Sequence, residues 1–202
     1  ANGYIGVRSV LEEGYPEDYP SIRGQYINGF YDFSIIGQPE PLYGLLDEKQ
    51  VMLNVIDTQS IKLIIEGEEF SMFQGEVLNS RRWVDWRKGI TGREVLWRSP
   101  QGKEIKLVIH RMTSFYQLSL FTIDYQITPL NFSGEISIIS SHDGNVTNHG
   151  DPKDPRNPHG NEKFLIPVSC EVQDDASFIT SRTLLSGLEV CTGVVNKLSQ
   201  PG

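Results

Sequence analysis

Apolar and polar residues alternate along most of the chain from Val51 onward, and this two-residue period predicts strands. Ile61, Leu63 and Ile65 share one parity, and Glu66-Gly67-Glu68 turns the chain back toward Phe70 and Met72. Val95 and Trp97 lead into Ser99-Pro100-Gln101-Gly102, where proline second and glycine fourth suit a type I turn. Ile105, Leu107 and Ile109 then alternate with Glu104, Lys106 and His110, which gives a hairpin with one buried face. Between Phe115 and Ile127 the phase slips. Tyr116, Leu118 and Leu120 hold one parity; Phe121, Ile123, Tyr125 and Ile127 hold the other. One long strand with a β-bulge accommodates that slip. Ile136 and Ile138 mark a further strand, and residues 164–172, 177–182 and 188–194 mark three more.

The opening residues 1–50 are rich in Gly, Pro and Tyr, and only 25–33 reads there as a strand. Ser9-Val10-Leu11-Glu12 has the form of a capping box, but no helical pattern follows it. Residues 142–162 are crowded with Asp, Asn, Pro, Gly and His, and so long a loop in a compact domain is functional or mobile. The pattern predicts an all-β, largely antiparallel fold.

Size and charge narrow the possibilities. With 202 residues the chain suffices for one large all-β domain or two small ones. Its net charge of −8 argues against a nucleic-acid partner. No apolar run approaches the ~20 residues that a membrane helix needs, and Ala1-Asn2-Gly3-Tyr4 lacks the charged start of a secretory leader. Cys170 and Cys191 are the only cysteines, and the expectation is two separate buried thiols in a cytoplasmic protein.

The densest chemistry lies in Arg81-Arg82-Trp83-Val84-Asp85-Trp86-Arg87-Lys88-Gly89. Strand alternation puts Trp83, Asp85 and Arg87 on one face, and Val84 and Trp86 on the core face. Asp85 is then expected to pair with Arg87 or Arg82. The other reading is a sugar-facing patch, with tryptophan stacking on a ring and Asp and Arg bonding hydroxyls. His142, Asp143, His149, Asp151, Asp154 and His159 match no zinc or calcium spacing and read as a solvated loop. No pair of acids is selected by spacing for glycoside hydrolysis. His110 lies on the polar parity of its strand, which leaves a mutarotase-like epimerase as a third possibility.

Four phrases carry a family resemblance. Asn2-Gly3-Tyr4-Ile5-Gly6-Val7-Arg8 resembles the Asn-Gly-Tyr-x-Gly-x-Arg phrase of glycoside hydrolase family 65. Gln25-Tyr26-Ile27-Asn28-Gly29-Phe30-Tyr31-Asp32 resembles its Tyr-x-x-Gly-x-Tyr-Asp segment, and Arg82 to Gly89 its Arg-x-Leu-Asp-Met-Arg-x-Gly phrase. Ser141-His142-Asp143-Gly144-Asn145-Val146-Thr147-Asn148 resembles its Asp-Gly-x-x-x-Asn phrase. The family includes maltose, kojibiose and trehalose phosphorylases.

The resemblance implies a β-supersandwich like that of galactose mutarotases, standing before a catalytic (α/α)6 barrel. Residues 1–202 are then a single amino-terminal domain, cut at both ends and without the barrel. The parent is expected to act on α-glucosidic disaccharides such as maltose, with phosphate rather than water. The implied domain is non-catalytic and holds no organic cofactor and no metal. Asn2, Tyr4, Arg8, Trp83, Asp85, Arg87, His142 and Asp143 are the candidate interdomain or sugar-proximal residues. Its partners are the barrel of the same parent chain and, in a homodimer, a second copy; disaccharide and phosphate reach it only through the parent. A stand-alone carbohydrate-binding module is the competing class.

Overall fold

The computed structural model describes residues 1–8, 11–19, 23–35, 43–44, 47–149 and 162–199. They form strands β1 (Ile5–Val7), β2 (Gln25–Ile27), β3 (Tyr31–Ile35), β4 (Glu48–Met52), β5 (Asp57–Ile65), β6 (Glu68–Glu69) and β7 (Glu76–Asp85). There follow β8 (Ile90–Arg98), β9 (Glu104–Thr113), β10 (Phe121–Pro129), β11 (Ile136–Asp143), β12 (Leu165–Gln173), β13 (Ala176–Thr183) and β14 (Glu189–Val195). The all-β reading holds: no helix occurs among the described residues, and none is long and apolar enough to cross a membrane. The chain divides into two compact units.

The first unit comprises Ala1–Ile5, Ser9–Arg23 and Gln59–Ser141. It contains the antiparallel sheet β10-β9-β8-β7 and the sheet β11-β5-β6. The predicted apolar parities supply its core. Leu63 and Ile65 of β5 meet Val95 and Trp97 of β8, and Ile105, Leu107 and Ile109 of β9. Phe70 stands edge-on to Trp97 with ring centroids 5.3 Å apart, and the indole N–H donates to the Gln74 carbonyl at 2.7 Å. That bond lets a fully buried tryptophan fill the core without a stranded donor.

Turns in this unit follow from local chemistry. Glu66 and Gly67 link β5 to β6 with φ of 48° and 82°, the doubly positive pattern of a two-residue hairpin loop. The Gly102 N–H donates to the Ser99 carbonyl at 2.9 Å in the predicted turn. Glu68 braces that turn by accepting from the Ser99 hydroxyl at 2.8 Å and the Lys103 ammonium at 3.0 Å. Burial alone pushes the Glu68 carboxyl up, yet these donors hold it below the ordinary carboxylate range.

The second unit comprises Gly6–Arg8, Gly24–Thr58 and His142–Gly202. It holds the pairs β1-β2 and β3-β4 and the sheet β12-β13-β14. Its core gathers Phe30, Leu53, Val55, Ile56, Phe164, Leu165, Ile179 and Val190. Phe178 lies across Gly193, its direct partner on β14, and covers the surface that the missing side chain leaves bare.

Three sequence expectations are corrected. Residues 25–33 are not one strand, because Asn28-Gly29 turns between β2 and β3 and the Phe30 N–H bonds the Ile27 carbonyl at 3.1 Å. The slip between Phe115 and Ile127 is a turn, not a bulge. The Ser114 hydroxyl accepts from the N–H groups of Tyr116 and Gln117, and β10 starts only at Phe121. Register shifts do occur, at Val77/Asn79 in β7 and at Pro167/Ser169 in β12. Cys170 and Cys191 are exposed rather than buried, since both stand on sheet-edge strands. Leu11 to Gly14 form a turn, while Ser9, Val10 and most of the predicted 142–162 loop lie outside the described residues.

Candidate functional site

The Arg-Trp phrase occupies the end of β7 and the turn into β8. Register fixes which side chains share a face. Arg82, Arg93, Ile109 and Tyr125 form one cross-strand row, and Val84, Thr91, Arg111 and Ile123 the next. On the opposite face Trp83, Gly92 and His110 are directly aligned. The Trp83 ring lies over Gly92, where any Cβ would collide with it. It also meets the His110 ring at 5.9 Å, edge to face, and the Arg81 guanidinium sits over it at 5.0 Å. Trp83 thus repairs a glycine gap in the sheet.

The expected core face is overturned here. Val84 is half-exposed and Trp86 is 88% exposed. β7 is an edge strand that outruns the apolar core at this end, and after Asp85 the turn breaks the alternation. The expected Asp85 ion pair is also absent among the described residues. Its Oδ1 accepts from the backbone N–H groups of Arg87 at 3.0 Å and Lys88 at 3.1 Å, which caps the turn.

Beside this hairpin lies a buried ionic cluster. Arg93 donates to Glu12 at 3.1 Å and grips Glu13 with two bonds of 2.8 and 2.6 Å. Arg111 donates through Nε to Glu12 at 2.6 Å and through a terminal nitrogen to the same oxygen. All four residues are buried. Burial depresses the Arg111 guanidinium, and repulsion from Arg93 and Arg82 adds to that against the pull of Glu12. For Arg93 the two glutamates outweigh burial and raise it; both stay cationic. A cavity of about 280 Å3 opens next to the cluster, lined mainly by Arg82, Trp83, Val84, Thr91, Arg93 and Arg111.

This arrangement can hold an anion, but it cannot protonate a glycosidic oxygen. Both nearby carboxylates are committed to guanidinium groups, whereas glycoside cleavage needs a carboxyl free to give a proton. No group of three or more metal-ligating residues occurs among the described residues. The sequence reading missed Glu12, Glu13, Arg93 and Arg111. The available signal was two arginines on the apolar parities of β8 and β9, where a charge demands a buried partner.

Among the remaining candidates, Asn2 and Asp143 bond backbone groups, as do Asp32 and Asn148 of the same phrases. In the first unit Asn2 donates to the carbonyls of Ser114 at 2.6 Å and Leu118 at 2.9 Å, and its Oδ1 accepts from Tyr4 and Ile5. Tyr4 is 40% exposed. In the second unit the Arg8 guanidinium lies 5.9 Å from the centre of the Tyr26 ring. Asp32, fully buried, accepts from the N–H groups of Leu185 and Ser186. Asn148 accepts from the Asn54 N–H at 2.8 Å and donates to the Met52 carbonyl at 3.0 Å. Asp143 caps Asn145 at 2.8 Å. Arg87 is exposed in the β7–β8 turn.

His142 is bonded at both nitrogens, Nδ1 to the Ser177 hydroxyl at 3.0 Å and Nε2 to the Thr192 hydroxyl at 2.7 Å. Burial lowers its pKa, and Asp57 and Asp143 offset only part of this. The folded state therefore resists protonation. The stability that neutral His142 contributes is complete above its unfolded pKa of about 6.5 and declines as pH falls through that value toward the lower folded one. Melting temperatures recorded across this window should drop with pH in the wild type and flatten in His142→Gln.

Comparison with known proteins agrees with these phrases. The family described as "Glycosyl hydrolase family 65, N-terminal domain" matches residues 1–202. An α,α-trehalose phosphorylase of Geobacillus stearothermophilus is 41% identical over 194 residues, covering 95% of this chain and 25% of that protein. One of Thermoanaerobacter brockii is 39% identical, covering 98% and 26%. A kojibiose phosphorylase of Halothermothrix orenii is 30% identical over 93% of this chain and 21% of its own length. In structure, a putative kojibiose phosphorylase from the human microbiome superposes with a TM-score of 0.80 at 20% identity, over 100% of this chain and 25% of its own. The chain thus spans about a quarter of the relatives it matches.

Proposed function

The chain belongs to glycosyl hydrolase family 65, as its N-terminal domain, and from that premise we propose that it is the non-catalytic β-sandwich of a disaccharide phosphorylase. The bond-breaking groups then lie in the rest of the parent, in the (α/α)6 barrel that the resemblance implies. The observation that carries this reading is the commitment of Glu12 and Glu13, the acids beside the cavity, to Arg93 and Arg111. The motif carboxylates Asp32, Asp85 and Asp143 are likewise bonded to backbone N–H groups. The substrate is an α-glucosidic disaccharide. Trehalose takes precedence over maltose, because the relatives at 41% and 39% identity are named for trehalose.

A carbohydrate-binding module has less support. The ring that such a module would use for stacking, Trp83, packs on Gly92 and under Arg81. The test compares the chain alone with the complete protein, each given trehalose and phosphate. The expected result is glucose 1-phosphate from the complete protein only. Glucose 1-phosphate from the chain alone would refute a non-catalytic role, and release of two glucoses without phosphate uptake would refute phosphorolysis.

A further inference from the structure

The cavity at the β7–β8 end carries more positive charge than its acids answer. Arg82, Arg93 and Arg111 all line it, while among the described residues the cluster's acids are Glu12 and Glu13. Among the described residues, three cations face two carboxylates there. Arg82 is the cation that no described carboxylate answers. It is exposed and makes no hydrogen bond or ion pair among the described residues, and it stands directly opposite Arg93 across the ladder. Like charges in that position are unfavourable. An edge-strand charge that only deters stray pairing gains nothing from facing a buried arginine across a cavity.

The rest of the lining is mixed. Thr91 presents a hydroxyl, and Val84 and Ile109 present apolar surface. A volume of about 280 Å3 lies near the lower end of small-molecule sites. It exceeds what a bare oxyanion fills and suits one sugar ring. Guanidinium groups recognise phosphate through paired, charge-assisted bonds. We propose that this cavity is a binding site for a phosphorylated monosaccharide, with Arg82 as the contact to the phosphate and Thr91 as a hydrogen-bonding partner for the sugar. Arg93 and Arg111, held in place by Glu12 and Glu13, supply the positive field.

This site does not depend on the parent being a phosphorylase. The experiment titrates the complete protein with glucose 6-phosphate, inorganic phosphate and glucose by calorimetry, as wild type and as Arg82→Gln. Any phosphate site elsewhere in the protein is common to both forms, so the difference isolates the cavity. The expected result is that R82Q loses one equivalent of glucose 6-phosphate, or binds it about ten to a hundredfold more weakly. Thr91→Val should weaken binding several-fold while leaving the melting temperature unchanged. Identical stoichiometry and affinity in wild type and R82Q would overturn the proposal. Inorganic phosphate binding the cavity as tightly as glucose 6-phosphate would overturn its sugar component. Because R82Q removes a side chain with no partner among the described residues and relieves its repulsion from Arg93, its melting temperature should not fall below that of wild type. Trehalose phosphorolysis by the wild type is scored separately, so either idea can fail without the other.

Discussion

Arg93→Met should destabilise the chain by about 3–5 kcal/mol, the cost of breaking a buried ion pair from one side. Arg93 makes three of the charge-assisted bonds in the cluster. Its removal leaves the Glu13 carboxylate, with a side chain 1% exposed, without a cation and Glu12 with Arg111 alone. In the native packing these oxygens are shielded from solvent. Native stabilities of about 5–15 kcal/mol make this a large fraction of the total. Urea denaturation should show a much earlier midpoint. Adding Glu13→Gln to Arg93→Met should recover part of the loss, since the stranded charge goes with it. A single substitution as harmful as the pair would mean that packing, and not the uncompensated carboxylate, sets the cost.

Asp32→Ala should cost about 3 kcal/mol by a different route. Asp32 is a fully buried carboxylate whose Oδ1 accepts from the Ser186 N–H at 2.7 Å, while both its oxygens lie within 3.2 Å of the Leu185 nitrogen. The Ser186 hydroxyl in turn donates to the Tyr31 carbonyl at 2.7 Å. Alanine strands two backbone donors, each worth about 1–3 kcal/mol when left unpaired. Asp32→Asn keeps one accepting oxygen and should lose about half as much. Equal melting temperatures for the alanine variant and wild type would show that the β13–β14 turn finds other partners.

The two effects differ in how visible they were. Asp32 belongs to a phrase that carries the family resemblance, so its importance was legible although its role was not. The hairpins around Gly67 and Gly102 were legible because turn chemistry and strand alternation agree there. The Glu12–Arg93 contact joins residues 81 positions apart, and no local pattern encodes such a pairing. The same holds for Trp83 over Gly92, which appears only once the β7–β8 register is fixed. Phe115, Tyr116, Leu118 and Leu120 misled for a physical reason. They are apolar yet exposed, so a reading that equates apolar with buried extends a strand through a turn.

A common logic links the family phrases. Asn2, Asp32, Asp85, Asp143 and Asn148 each accept from backbone N–H groups close by in space, and Asn2 and Asn148 also donate to carbonyls. Short polar side chains are suited to this, since they satisfy irregular backbone that has no ladder partner. The phrases therefore specify loops. In this chain the side chains of these phrases hold irregular backbone in place.

Amide hydrogen exchange resolved by residue tests that claim most directly. The N–H groups of Ile5, Asn54, Leu185 and Ser186 bond to motif side chains rather than to neighbouring strands. They should exchange as slowly as amides within the paired strands of their own unit. Exchange at the rate of open loops would contradict the account, because the side chains of the family phrases would then be holding nothing.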